Sequence, residues 1–439
     1  VSGAGLILAA PASGSGKTLV TAGLLRHLRQ RGVKVVAAKA GPDYIDPTFH
    51  ARASGAPCVN LDPWAMRPAT LARLVRELET AAELVLCEGV MGLFDGTGPN
   101  GEAGSTAELA RLTGWPVVLV IDAGGQGASI AALVGGFARH DPRIRLAGVI
   151  LNHVASARHV ALLSEAIVRH LPGTPVLGAL SRDASLTVAS RHLGLVPAGE
   201  TEAIDRLIDT AATRIASDFD IERLITLAKS SSCCATPGTV GLRAFGQHIA
   251  IARDDAFLFT YEAMLAGWHQ QGAALSYFSP LADEAPDPTA DAIYLPGGYP
   301  ELHAGRLAAA SGFLGGLRQA ASAGKAIYGE CGGYMVLGEA LTDASGATHR
   351  MAGLLPLTTS FVEPRRHLGY RAARLFAAGL LGAEGARFRG HEFHYASIVA
   401  EGDADPLFAI ADASGGDLGR AGLRRGSVAG SFIHLIDRE

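Results

Sequence analysis

Leu6-Ile7-Leu8-Ala9-Ala10-Pro11-Ala12-Ser13-Gly14-Ser15-Gly16-Lys17-Thr18 decides how this chain is read. Leu6–Ala10 is apolar without alternation, which suits a strand buried on both faces. The loop after it ends in Gly-Lys-Thr and runs into a helical pattern. Successive backbone N–H groups in such a loop, together with the helix N-terminus, form a nest for phosphate oxygens. Ser13, Gly14, Ser15, Gly16, Lys17 and Thr18 are therefore the expected ATP contacts. Lys17 would reach the β- and γ-phosphates, and Thr18 would ligate Mg²⁺. Pro11 stands where the usual phosphate-loop pattern has its first glycine. No basic residue precedes the loop, so Val1–Ala10 reads as a buried strand and not as a secretion signal.

Similar apolar runs recur at Val33–Ala38, Leu84–Cys87, Pro116–Ile121, Leu146–Leu151 and Pro175–Leu180. The stretches between them are long enough for crossover helices, so the first half reads as a doubly wound α/β parallel sheet. Lys229–Thr239 (KSSSCCATPGT) has the Ser, Pro and Gly content of a linker. Beyond it the alternation restarts, with strands at His248–Ala252, Ile293–Leu295 and Ala326–Gly329 and a helix at Tyr261–Gln271. The expected division is 1–228, a linker at 229–245, and 246–439. A chain of 439 residues with 48% hydrophobic and 18% charged residues can bury two such cores. The charge balance, 38 basic against 42 acidic residues, gives no electrostatic argument for nucleic acid or an anionic membrane. No apolar run reaches the ~20 residues of a membrane span. Five cysteines without CxxC spacing exclude a zinc or disulfide framework and fit a cytoplasmic protein.

Two acidic segments follow the second and third strands. Gly41-Pro42-Asp43-Tyr44-Ile45-Asp46-Pro47 and Glu88-Gly89-Val90-Met91-Gly92-Leu93-Phe94-Asp95-Gly96 would both lie at the carboxyl edge of the sheet, where ligands of open α/β folds bind. Four converging carboxylates suit Mg²⁺, a cation that takes oxygen ligands. Asn152, at the end of the fifth run, is a candidate for the adenine edge. In the second half, Gly329-Glu330-Cys331-Gly332-Gly333 lies between a strand and a helical run, Tyr334–Leu341, the nucleophile-elbow pattern with cysteine. A helix N-terminus behind Cys331 is expected to lower its thiol pKa. Gly332 and the Pro296-Gly297-Gly298 turn could supply an oxyanion hole. Cys58, Cys87, Cys233 and Cys234 read as buried hydrophobes. The thiolate needs a base, and His303, His349, His367, His391, His394 and His434 are all available.

Nearly the whole chain resembles the cobyrinic/hydrogenobyrinic acid a,c-diamide synthase family. The matching segments, in order, are ASGSGKT (12–18), GPDYIDPTFH (41–50), EGVMGLFDG (88–96), RHLGLVPAGE (191–200), PGGYPELHA (296–304), YGECGGYMVLG (328–338), RGHEFHYA (389–396) and SFIHL (431–435). The resemblance implies a dethiobiotin-synthetase-like ATP-binding domain followed by a class I glutamine amidotransferase domain. It implies amidation of the a and c carboxylates of a corrin with ammonia from glutamine, through ATP and Mg²⁺. Carried over by residue, Cys331 is the glutaminase nucleophile and His434 its base. Asp43 and Asp46 are catalytic, with Thr18, Asp43 and Glu88 at the metal and Tyr44 and Asp95 at the corrin. Ile436 stands where other class I amidotransferases have a glutamate two positions after the histidine, so a third member of the catalytic set is absent or comes from elsewhere. Cobyric acid synthase and the nickel sirohydrochlorin enzyme are close alternatives, and a partitioning-type ATPase a remote one. Whether the corrin carries cobalt stays open, as does the oligomeric state, with a homodimer as one option.

Overall fold

The structure is a computed structural model that describes residues 3–98, 100–183, 186, 201–233 and 241–439. The 191–200 motif and Cys234 lie outside the described residues. The chain divides into two compact units, Val1–Trp64 with Pro68–Thr239, and Ala65–Arg67 with Val240–Glu439.

The first unit alternates strand and helix. It runs β1 (Ala4–Ala9), α1 (Lys17–Gln30), β2 (Val35–Ala40), α2 (Asp46–Ser54), β3 (Val59–Leu61), α3 (Pro68–Ala81) and β4 (Leu84–Glu88). It continues with α4 (Thr106–Thr113), β5 (Val117–Asp122), α5 (Ile130–His140), β6 (Leu146–Val154), α6 (Ala157–His170), β7 (Val176–Ser181), α7 (Thr201–Asp218) and α8 (Ile221–Leu227). The strands pair in parallel in the order β3-β2-β4-β1-β5-β6-β7. Leu6, Leu8, Leu86, Val118 and Ile150 are fully buried beneath the helices, as a sheet covered on both faces requires. β2 begins two residues later than the apolar run suggests, and short β3 has no signal beyond Val59 and Leu61.

The second unit opens with β8 (His248–Ala252), α9 (Glu262–Gln270), β9 (Ala274–Phe278), β10 (Ala292–Leu295), α10 (Ala304–Ala309), α11 (Ser311–Ser322), β11 (Ala326–Glu330) and α12 (Gly332–Leu337). Strands then dominate: β12 (Ala340–Thr342), β13 (Thr348–Arg350), β14 (Leu357–Ser360), β15 (His367–Leu375), β16 (Arg387–His394) and β17 (Ser397–Glu401). The last are β18 (Asp405–Ala411), β19 (Asp417–Arg425), β20 (Val428–Ser431) and β21 (Ile433–Arg438). One sheet runs β21-β16-β15-β18-β19-β20-β11-β10-β8-β9, parallel from β20 to β9 and antiparallel elsewhere. α12 stops at Leu337, short of the expected Leu341, because Gly338 turns extended and the chain enters β12.

The start of the linker-like segment is docked onto the first unit. Lys229 exchanges backbone hydrogen bonds with Gly5. Glu79, buried in α3, accepts from Trp115 Nε1 at 3.0 Å and from the Ser231 N–H at 2.6 Å and hydroxyl at 2.8 Å. Cys233 is half-buried rather than buried, because its thiol reaches the carbonyl of Leu112 at the surface. Glu79→Ala leaves the indole and a backbone N–H without their acceptor, so urea denaturation should show a loss of about 2 kcal/mol.

Candidate active site

The carboxyl ends of β1, β2, β4 and β6 share a cavity of about 980 Å³ lined by Gly14, Lys17, Thr18, Asp43, Glu88 and Asn152, among others. Gly14 and Gly16 have φ of 82° and 88°, left-handed values that L side chains rarely adopt. A Cβ on Gly16 would collide with Asn152 Nδ2, and that amide donates to the Ser15 carbonyl at 3.0 Å. Asn152 thus staples the phosphate loop. Lys17 Nζ donates to the carbonyl of Met91 at 2.6 Å, and Met91 holds φ 46° to present it. Burial holds the Lys17 ammonium below its ordinary pKa, with nearby Lys39 adding to the effect.

Lys39, buried in β2, organises the acidic residues. Its ammonium lies 2.6 Å from Asp46, 3.1 Å from Glu88 and 3.8 Å from Asp43. Burial works against that charge, but the three carboxylates raise its pKa above the usual range. Glu88 also accepts from the Thr18 hydroxyl at 2.9 Å and bonds His50 Nε2. Burial pushes Glu88 up, but Lys39, His50 and Thr18 bring it down to about 2. Burial and neighbouring Asp46 lift Asp43 to about 7. The Tyr44 side chain is buried, and Asp95 accepts from the Gly92 N–H at 3.0 Å. Neither Lys39 nor His50 stood out in the sequence. A lysine inside the apolar run VVAAKA was the available signal for one, and His50 sits unassigned within the GPDYIDPTFH segment. Thr18, Asp43 and Glu88, the residues expected at the metal, and Asp46 beside them all bring oxygen donors to this cavity, chemistry that fits Mg²⁺.

In the second unit, Cys331 lies between β11 and α12 with φ 49° and ψ −103°. That conformation costs about 1–3 kcal/mol in a non-glycine residue and marks a true elbow. The flanking glycines permit it. A Cβ on Gly333 would collide with the Leu295 carbonyl, and one on Gly332 would lie 3.0 Å from Gly298 N. A Cβ on Gly297 would collide with His434 Cε1, so the Gly297-Gly298 turn touches both the elbow and the imidazole. On the other side is β16, where His391 pairs with His434 in register and the Phe393 carbonyl lies 3.7 Å from the Cys331 sulfur. These contacts put Cys331, His434, Gly297, Gly298 and Gly332 around one point.

The expected drop in thiol pKa is not found. Burial pushes the Cys331 thiol well up, Glu301, Glu330 and Glu392 add to it, and the Gly332 N–H opposes them too weakly. α12 has only six residues, so its dipole is short. Burial, helped by His391 and His394, lowers His434 to about 3. Both shifts favour the uncharged thiol and the uncharged imidazole.

Residues 6–196 match the model of the CobQ/CobB/MinD/ParA nucleotide binding domain, and 248–439 that of the CobB/CobQ-like glutamine amidotransferase domain. The hydrogenobyrinate a,c-diamide synthase of Rhizobium meliloti (strain 1021) is 53% identical over 99% of both chains. That of Mesorhizobium japonicum is 50% identical over 99% of this chain and 98% of its own. Among solved structures, PurLQS from Thermotoga maritima aligns at a TM-score of 0.32 and 19% identity, over 43% of this chain and 87% of its own. Among the described residues no helix is long and apolar enough to cross a membrane.

A buried thiol with a raised pKa reacts slowly with alkylating agents. Iodoacetamide at pH 8 without glutamine should therefore modify the peptide carrying half-buried Cys233 before the one carrying Cys331, as read by peptide mass mapping. Faster labelling of Cys331 would contradict this account of its surroundings.

Proposed function

This chain belongs to the hydrogenobyrinate a,c-diamide synthase family, and from that premise we propose that it amidates the a and c carboxylates of hydrogenobyrinate. ATP drives the reaction and glutamine supplies the nitrogen. The observation that carries the proposal is that one chain holds a phosphate-loop cavity lined by carboxylates and a strained Cys331 elbow beside His434.

A carboxylate is a poor acyl donor, so its oxygen must first take the γ-phosphoryl group of ATP. Lys17 and the loop N–H groups would bind the phosphates, and Thr18, Asp43 and Glu88 would hold Mg²⁺, with Asp46 beside them. When bound, the metal neutralises phosphate charge. Lys39 already offsets much of the negative charge in that wall, so a polyanionic corrin is not met by bare carboxylates. Tyr44 and Asp95 fall on the segments assigned to the corrin.

In the second unit, the Cys331 sulfur attacks the glutamine amide carbon while its proton passes to His434, and His434 then protonates the leaving ammonia. The N–H groups of Gly332 and of the Gly297-Gly298 turn, which pack against one another beside His434, would serve the oxyanion. Water releases glutamate from the thioester, and ammonia attacks the acyl phosphate, forming the amide and expelling inorganic phosphate. The expected compartment is the cytoplasm.

Cys331→Ala should abolish glutamine-dependent amidation and leave synthesis from ammonium salts within about threefold of the parent, measured as product mass from hydrogenobyrinate. Equal loss with both nitrogen donors would refute separate nitrogen and activation sites. Lys17→Ala should stop synthesis from either donor, because phosphoryl transfer precedes amide formation. Glutamate release from glutamine should continue at a low uncoupled rate, and normal ammonium-dependent synthesis in this variant would remove the loop from the reaction.

A further inference from the structure

Ile436 leaves the imidazole of His434 without the glutamate that the sequence pattern would place two residues on, and the structure offers a different carboxylate. Glu330 directly precedes the nucleophile and is buried at the end of β11. Its Oε2 lies 3.8 Å from His434 Nδ1. The other ring nitrogen lies on the side of the Gly297 turn, where a Cβ would stand 3.1 Å from Nε2.

Glu330 is itself held in place. Tyr294, on neighbouring β10, donates its hydroxyl to Oε2 at 2.7 Å. The N–H of Leu435, the residue after His434, donates to Oε1 at 3.2 Å. One side chain thus joins the elbow strand to the strand that carries the base. From this arrangement we infer that Glu330 is the positioning residue for His434, taking the place of the missing glutamate.

Its effect follows from charge. When Cys331 attacks glutamine, the thiol proton moves to Nε2 and the sulfur–carbon bond forms. The imidazole becomes a cation in a site closed to water. A carboxylate 3.8 Å away on the Nδ1 side stabilises that cation by its charge and so favours the ring orientation that turns Nδ1 toward it. When ammonia leaves it takes the Nε2 proton, and the ring is neutral again. Burial lifts the Glu330 carboxyl to about 8, while the Tyr294 hydroxyl and the Leu435 N–H oppose that rise by donating to its ionised form.

The inference rests on the glutaminase reading above, so the parent enzyme serves as the control for that reading: no glutamate from glutamine in the parent would refute the function itself. Glu330→Gln keeps the volume and an acceptor for the Leu435 N–H but removes the charge. Glutamine hydrolysis should lose kcat by a factor on the order of 10², with the KM for glutamine and ammonium-dependent synthesis within about twofold. A purely structural Glu330 predicts a near-normal kcat, and a fall of less than tenfold overturns the inference. Should this variant lose ammonium-dependent synthesis as well, Tyr294→Phe decides. Without the hydroxyl that fixes Oε2, kcat should fall at least fivefold at unchanged KM, and an unchanged kcat overturns the assignment.

Discussion

In a parallel sheet every strand has its carboxyl end on the same edge, so the loops that leave those ends meet whatever their separation in sequence. The first unit exploits this repeatedly. β1 delivers the phosphate loop, β2 the Asp43–Asp46 segment, β4 Glu88 and β6 Asn152, all onto one cavity. The second unit follows the same rule on its parallel side. β11 ends at the Cys331 elbow and β10 at the Gly297 turn, its neighbour in the sheet. His434 arrives on β21 from the antiparallel side, in register with His391 on β16, and that strand also passes the sulfur.

Converging loops bring converging charge. Asp43, Asp46 and Glu88 gathered at one cavity would repel one another, and the fold answers with a cation of its own within 4 Å of each. Lys39 is fixed in β2 two residues before Gly41, where φ 79° turns the chain sharply into the acidic loop. Burying an ammonium costs several kcal/mol without partners, yet three carboxylates leave Lys39 more basic than in water. Removing any one of them therefore perturbs the others. His50 extends the same network by holding the far oxygen of Glu88.

The architecture was legible because doubly covered strands are uninterrupted apolar runs, and because glycine marks the loops where backbones approach closely. The phosphate loop, both acidic segments and the elbow could be located from composition at strand ends alone. Lys39 escaped because one lysine in an apolar strand carries no motif, and its three partners lie 4, 7 and 49 residues away in the chain. Glu330 escaped for a related reason. The gap at Ile436 was visible, but the carboxylate near His434 lies over a hundred residues earlier, on a strand brought near only by the sheet order. The protonation of Cys331 was misjudged because a helix N-terminus was weighed without the burial and the acidic neighbours that outweigh it.

That burial has a consequence for the glutaminase centre. Desolvation raises an acid such as the Cys331 thiol and lowers a base such as His434, so both forces favour the uncharged pair. In the proposed reaction thiolate and imidazolium would then arise together, as the sulfur begins to bond to carbon and the negative charge passes on to the amide oxygen. An uncompensated charge separation in so closed a site would be prohibitive. Each charge needs its own partner: the backbone donors of Gly332 and the Gly297-Gly298 turn for the oxyanion, and a carboxylate on the Nδ1 side for the imidazolium. A thiol held in its uncharged form is a weak nucleophile, so in the proposed reaction the sulfur would become reactive only as a substrate amide offers its oxygen to the backbone donors.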